Sequence, residues 1–328
     1  MKTLQLSSFG APADVVELAE VDPADPGPGQ LAVSIEAAPI NPSDLNLIRG
    51  VYGVRPDLPA TLGAEGVGRV IAVGDGVDRS RVGTRVLVVP TLEQGTWCEQ
   101  AVLDARNAVP VDLDGDPLQL AMLGINPITA YCVLHGYVKL APGAWVAQTG
   151  ASSATAGYVL ALAKHAGLRT LNVVRRPESV RQLLDAGADV VLVEGSDLAE
   201  QAADAIGDAS LELILDAVAG EPVAQLASLL KIGGQIISYT ARARQPVNIP
   251  VVDLIFRGLS VHGYWLNLWL ARTPRATVAQ TYRELAALVS DRTLAAPIEA
   301  TYALVDYREA IAHAARSDRN GKVLFDLR

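Results

Sequence analysis

Cysteine is nearly absent: Cys98 and Cys132 are the two thiols in 328 residues. Two thiols cannot frame a disulfide-stapled fold, so apolar burial has to carry the stability. Histidine is scarce too. His135, His165, His262 and His313 are scattered, and none has the spacing of a metal ligand set. No apolar run reaches the ~18 residues of a membrane span without a charge or a turn residue, which argues against a membrane protein. No basic cluster offsets the net charge of −9, which argues against a nucleic-acid partner. The opening stretch, MKTLQLSSFGAPADVVELAEV, reads as two strands and has neither an Arg-rich presequence nor an apolar signal region. A cytoplasmic location is therefore expected.

Apolar residues are plentiful, at 50% against 19% charged, which suits a globular chain long enough for two domains. The first third is built of short β-branched runs, LAVSIEAAPI, GVGRVIAVGDGV, TRVLVVP and TWCEQAVL. They are broken by DPADPGPGQ, GVDRSRVG and LEQG, a pattern that predicts a β-rich, barrel-like domain. Among them PSDLNLIRG predicts one short helix, capped by Asn41 or Ser43 and ended by Gly50.

Further on, strands and helices alternate. WVAQ leads into a helix over Ala154–Ala166, then come TLNVV, a helix from Pro177, DVVLV, a helix near Leu198–Ile206, LELILDAV, a helix near Val223–Leu230, and GGQIISYT. Such alternation predicts a parallel sheet covered on both faces, hence an α/β chain with a doubly wound domain. The tail, PIEATYALV, DYREAIAHAAR and GKVLFDL, returns to mixed texture and can rejoin the first domain. The expected boundaries are 1–115, completed by 292–328, and 116–291.

The turn after WVAQ carries the chemistry. Gly150, Ala151, Ser152, Ser153, Ala154, Thr155 and Ala156 are all small, so the backbone can come close to a ligand. At a strand-to-helix crossover, backbone N–H groups and the helix N-terminus face a dinucleotide diphosphate, and the serine and threonine hydroxyls add donors. An NAD-binding unit would place an acid at the end of the second strand to hold the ribose hydroxyl. Here Arg175 and Arg176 stand there, and guanidinium groups suit a 2′-phosphate. NADPH is the expected cofactor; the bland alternative is that both arginines simply end a strand at the surface. A rival reading takes GASSA as a nucleophile turn with Ser152 central, and Asp216 with His262 or His313 as an α/β-hydrolase triad. Ala154 in place of the last glycine, and the β-rich domain ahead of the sheet, weigh against it. A non-catalytic nucleotide-binding protein is a further alternative.

Several segments, in order over nearly the whole chain, resemble the medium-chain dehydrogenase/reductase superfamily and within it the zinc-free 2-enoyl thioester reductases of the mitochondrial type. They are INPSDLNLIRGVYGVRPDLPATLGAEGVGRV, GTWCEQAV, AMLGINPITAY, GLRTLNVVRRPE, GGQIISYT and VVDLIFRGLSVHGYWLNLW. Where the family tends to carry an S-G-V-G-like loop, this chain has Ser153, Ala154, Thr155 and Ala156. The resemblance implies a GroES-like catalytic domain with a Rossmann domain inserted in it and the active site in the cleft. It implies NADPH-dependent reduction of an α,β-unsaturated thioester, hydride to Cβ and proton to Cα, or, as the alternative, reduction of a quinone or enone. It also suggests a homodimer.

The superfamily's zinc enzymes use Cys, His and Glu ligands. Here the corresponding stretch is Gly63-Ala64-Glu65, and no cysteine lies near Asn41, so zinc is not expected. Without a metal, the enolate oxygen needs hydrogen-bond donors and Cα needs a proton. Tyr52, in GVYG, matches the family's catalytic tyrosine; the alternative is a loop aromatic packed on the barrel. The resemblance places Asn41 near the nicotinamide ribose, with a helix cap as the bland reading. Thr129 is expected to bond cofactor or substrate, or to pack inside a helix. Tyr239 follows a strand at the ligand-binding end of the sheet, and Lys322 reaches the cofactor or pairs with an acid. Trp97, Tyr264, Trp265 and Leu266 are candidates for an acyl pocket, the alternative being core or dimer contacts.

Overall fold

The computed structural model describes residues 1–93, 95–111, 115–240 and 245–328. The chain forms two compact units, Met1–Ile128 with Leu270–Arg328, and Thr129–Trp269.

The first unit is β-rich, as its short runs require. The long strand Gln30–Pro39 pairs antiparallel with Gly66–Val73 on one side and with Lys322–Asp326 on the other. The tail strands Lys322–Asp326 and Ile298–Tyr302 thus complete a seven-stranded sheet begun near the N-terminus. A smaller sheet joins Val16–Glu20, Lys2–Leu6 and Ala60–Thr61. Between them lies a core of aliphatic side chains, including Leu4, Leu31, Ile35 and Val86, closed by Trp97 and Phe325. Trp97 is fully buried, sits edge-on to Phe325 with ring centroids 5.4 Å apart, and donates its indole N–H to the Pro39 carbonyl at 3.2 Å. An indole so enclosed and so satisfied is a core side chain, which corrects its expected place in an acyl pocket.

Residues 116–128 and 270–291 gather with this first unit, although the alternating texture groups them with the inserted domain. Their packing gives the reason. The helix Arg275–Ser290 buries Val278, Tyr282, Leu285 and Val289, and the Tyr282 hydroxyl donates to the Gly124 carbonyl at 2.9 Å. Gln119 exchanges two hydrogen bonds with the Ala296 backbone, at 2.9 and 3.0 Å.

The second unit holds six parallel strands: β1 (Trp145–Gln148), β2 (Arg169–Val174), β3 (Val190–Val193), β4 (Leu211–Asp216), β5 (Leu230–Ser238) and β6 (Ser260–Gly263). Their spatial order is β3-β2-β1-β4-β5-β6. The buried runs WVAQ and LILD sit in mid-sheet because both of their faces are covered. Helix α1 (Ala154–His165) follows β1 and buries Ala156, Val159, Leu160 and Ala163 on one face. Strand order reverses at β1, so the crevice at the carboxyl ends of β1 and β4 is where such a sheet binds ligands.

Candidate active site

In the second unit the crossover 150–156, Arg175, Arg176 and Tyr239 stand at the carboxyl edge of the sheet. Gly150 opens the crossover with φ +61°, a conformation that disfavours any side chain, and an added Cβ would come within 3.3 Å of Ala217 and Val218. Ala151 is pinned by its N–H to the Val173 carbonyl at 3.0 Å. Ser152 is exposed, and Ser153 caps α1 by accepting from the Ala156 N–H at 3.2 Å. Over the first turn of α1, Gly157 faces open space. Thr155 and Ala154 are half-buried on that turn. At the end of the neighbouring β2, Arg175 and Arg176 are exposed, and neither guanidinium bonds to a described residue. Tyr239 ends β5, its N–H on the Asp216 carbonyl at 3.1 Å. The dinucleotide therefore fits: a small-residue turn, a helix N-terminus and two uncommitted cations share one edge.

The hub of this edge is Asp216, which is fully buried. Its carboxylate accepts from Thr149 Oγ1 at 2.8 Å, Ser238 Oγ at 2.7 Å, and the N–H groups of Val218 and Ala219 at 3.1 and 2.9 Å. That commitment removes the hydrolase reading. No histidine bonds to Asp216 or to Ser152 among the described residues, and His313 is held by Tyr302 and Glu299. The signal for Asp216 is one acid ending an apolar strand, in LELILDAV.

In the first unit Asn41 caps the helix Pro42–Ile48 and sits in a buried polar cluster. Its side-chain amide donates to Glu65 Oε1 at 2.8 Å, and its Oδ1 accepts from the Lys322 ammonium and from Asn126 Nδ2. Its backbone N–H donates to Asp44 Oδ2 at 2.7 Å. Asn41 and Lys322, expected separately, thus touch; Asp44, Glu65 and Asn126 join them unexpectedly. The N-x-x-D spacing of a capping box carries the signal for Asp44. Burial pushes the Asp44 carboxyl up to about 6 and the Glu65 carboxyl up to about 8, against the pull of Lys322. Burial pushes the Lys322 ammonium down, opposed by both acids. Among the described residues that ammonium makes one hydrogen bond and no ion pair, which leaves donors for a ligand oxygen.

Zinc does not fit here. Among the described residues no group of three or more Cys, His, Asp or Glu could hold a metal ion. Glu65 is bonded to an amide, and the cation beside it is an ammonium. No described helix is long and apolar enough to cross a membrane.

The remaining candidates are placed as follows. Tyr52 is half-buried on the loop after the helix Pro42–Ile48. Thr129 is buried on the helix Asn126–His135. Tyr264 and Leu266 are buried and Trp265 half-buried just after β6, where the Tyr264 N–H bonds the Ser238 carbonyl at 2.8 Å.

Residues 27–151 match the alcohol dehydrogenase GroES-like domain, and residues 155–290 match the zinc-binding dehydrogenase family. The chain is 33% identical to the mitochondrial enoyl-[acyl-carrier-protein] reductase of Xenopus tropicalis, over 94% of this chain and 90% of that protein. A putative NADPH:quinone reductase from Bacillus thuringiensis superposes with a TM-score of 0.91 at 27% identity, covering 99% and 98% of the two chains. The complex of Etr1p with NADP and crotonyl-CoA superposes with a TM-score of 0.85 at 26% identity, covering 99% of each. These relatives overturn the expected cytoplasmic location, because the frog reductase and its rat and human counterparts are named as mitochondrial proteins.

The buried acids set a pH dependence. A carboxyl whose folded pKa is raised contributes its full stability below the unfolded value and loses it as pH rises through the folded one. For Glu65 that window runs from 4.5 to about 8, and for Asp44 from 3.8 to about 6. Glu65→Gln keeps an acceptor for Asn41 and has no proton to lose. Thermal melts of parent and variant are expected to diverge in the variant's favour as pH rises from 5 to 8; parallel melts over that range contradict the assignment.

Proposed function

Because the chain belongs to the medium-chain dehydrogenase/reductase superfamily, in its zinc-free enoyl thioester reductase branch, we propose that it reduces the carbon–carbon double bond of 2-enoyl thioesters with NADPH. The observation that carries this reading is the small-residue crossover after β1 with two uncommitted arginines after β2. NADPH, when bound, supplies the hydride that adds to Cβ.

The chain's own residues do the rest. The small-residue crossover Gly150, Ala151, Ser152 and Ser153 lets the diphosphate approach the backbone, and the first turn of α1, at Ala154, Thr155 and Ala156, faces it with the helix N-terminus. Arg175 and Arg176 hold the 2′-phosphate, which Arg favours for its planar fork of donors. Asn41, its side-chain amide held by Glu65, and Lys322, its ammonium held by Asn41, offer the nicotinamide ribose an amide and a cation. Thr129 and Tyr239 supply hydroxyls to the same ligand. Tyr264, Trp265 and Leu266 give the acyl chain an apolar wall. Tyr52 donates its phenol hydrogen toward the enolate oxygen as charge collects there, or passes it to Cα. No step needs a metal, since a conjugated thioester carries the charge to an oxygen that hydrogen bonds can stabilise.

The likeness to a putative NADPH:quinone reductase favours one second reading, the same hydride chemistry on a quinone or enone. A panel of enoyl-CoA esters, quinones and enones with NADPH separates the two. The assembly is a homodimer formed along β6, the last strand of its sheet. Val261 on that strand and Ile255 and Phe256 on the nearby helix Val251–Phe256 are exposed apolar side chains, Phe256 at 80%. Light scattering is expected to give the mass of two chains, and a monomer mass removes the assembly.

Arg175→Ala with Arg176→Ala is expected to weaken NADPH about 10-fold or more and leave NADH unchanged, read by quenching of nucleotide fluorescence. Equal losses for both nucleotides refute the phosphate role. Tyr52→Phe is expected to lower kcat for an enoyl thioester ~10²-fold, and an unchanged rate removes its role.

A further inference from the structure

Tyr52 lies on a stretch that core burial does not pin. Val51 is 57% exposed, and Gly53 is exposed as well. A phenol that must meet a developing oxyanion to within a fraction of an ångström also needs a restraint on the loop that carries it. The residues on either side supply it. The helix Pro42–Ile48 ends as Gly50 turns to φ +70°, with its N–H on the Leu47 carbonyl at 2.9 Å. Arg55 then reaches back across the loop. Its Nε and Nη2 both donate to the Gly50 carbonyl, at 3.0 and 2.8 Å. The same guanidinium lies over the Phe9 ring, 5.3 Å from the centroid. Phe9 in turn packs over Gly50, where an added Cβ would come within 3.1 Å of the ring. Pro56 keeps the Arg55 backbone out of the helical region, which holds the arm extended.

We propose that Arg55 is a positioning residue for Tyr52: its guanidinium, forked on the Gly50 carbonyl and stacked on Phe9, closes the loop that carries the phenol. This rests on the reading of Tyr52 as the hydrogen-bond donor of the reaction. Arginine suits the task because its planar fork gives two donors in a fixed geometry and a face that stacks on an aromatic ring. Lysine offers a single point charge, and methionine fills the space with no donor. The clamp acts on the phenol's position and not on nucleotide binding, so its loss belongs to kcat.

The test is a double-mutant cycle on the full chain with crotonyl-CoA and NADPH. Arg55→Met is expected to lower kcat about 10-fold with the affinity for NADPH unchanged, and Arg55→Lys to recover part of the loss. In the Tyr52→Phe background Arg55→Met is expected to have no further effect, because there is no phenol left to position. Two results overturn the proposal while sparing the role of Tyr52. One is a normal kcat for Arg55→Met beside a depressed Tyr52→Phe. The other is an Arg55→Met loss that persists in full in the Tyr52→Phe background. A rise in KM for the CoA ester but not for the matching pantetheine ester would identify the guanidinium as a phosphate contact and also overturns it. If Tyr52→Phe alone leaves kcat intact, the reading of Tyr52 falls and takes the clamp with it.

Discussion

Four hydrogen bonds converge on one buried carboxylate, and the nucleotide edge of the second unit depends on them. Asp216 ends β4 and accepts hydrogen bonds from Thr149 after β1, Ser238 at the end of β5, and the two amides that turn the chain after β4. A buried carboxyl group without such partners would be costly. By tying three strand ends together it fixes where the crossover at Gly150 begins. The same commitment bars Asp216 from orienting a histidine, so one interaction both builds the coenzyme edge and excludes the hydrolase.

The first unit meets the problem of buried charge differently. Lys322, Glu65 and Asp44 are all buried around the Asn41 amide, and among the described residues no two of them form an ion pair. Neutralisation by pKa shift does part of the work that direct pairing would do elsewhere. The amide serves as the shared partner, accepting from the ammonium and donating to the glutamate. A cation is thereby held beside Glu65 by the chain itself.

Much of the fold is legible in the sequence. Strand and helix alternation reads cleanly because buried parallel strands are short apolar runs and their helices carry a 3.6-residue stripe. The crossover after WVAQ and the arginine pair after TLNVV are legible for the same reason, since position relative to a strand end defines them. Tertiary partners are harder. Trp97 reads equally well as pocket wall or core, and only its enclosure by Phe325 and Pro39 decides. The helix Arg275–Ser290 has the look of the inserted domain, but its buried face fits residues from the first unit. Glu65 and Asn126 meet Asn41 from distant stretches of chain, a convergence that no local pattern encodes. The cellular compartment is not legible in composition at all.

The pairing of the strand Lys322–Asp326 with Gln30–Pro39 has a consequence for how the molecule is made. The two strands lie on either side of the inserted unit in the sequence, so they can pair only after that unit has been made. The inserted unit, 129–269, has all of its strands in hand much earlier and can fold as soon as it emerges. Until Lys322–Asp326 arrives, Gln100–Asp104 already covers residues 30–34, and only the short stretch 37–39 is left as an edge open to neighbours.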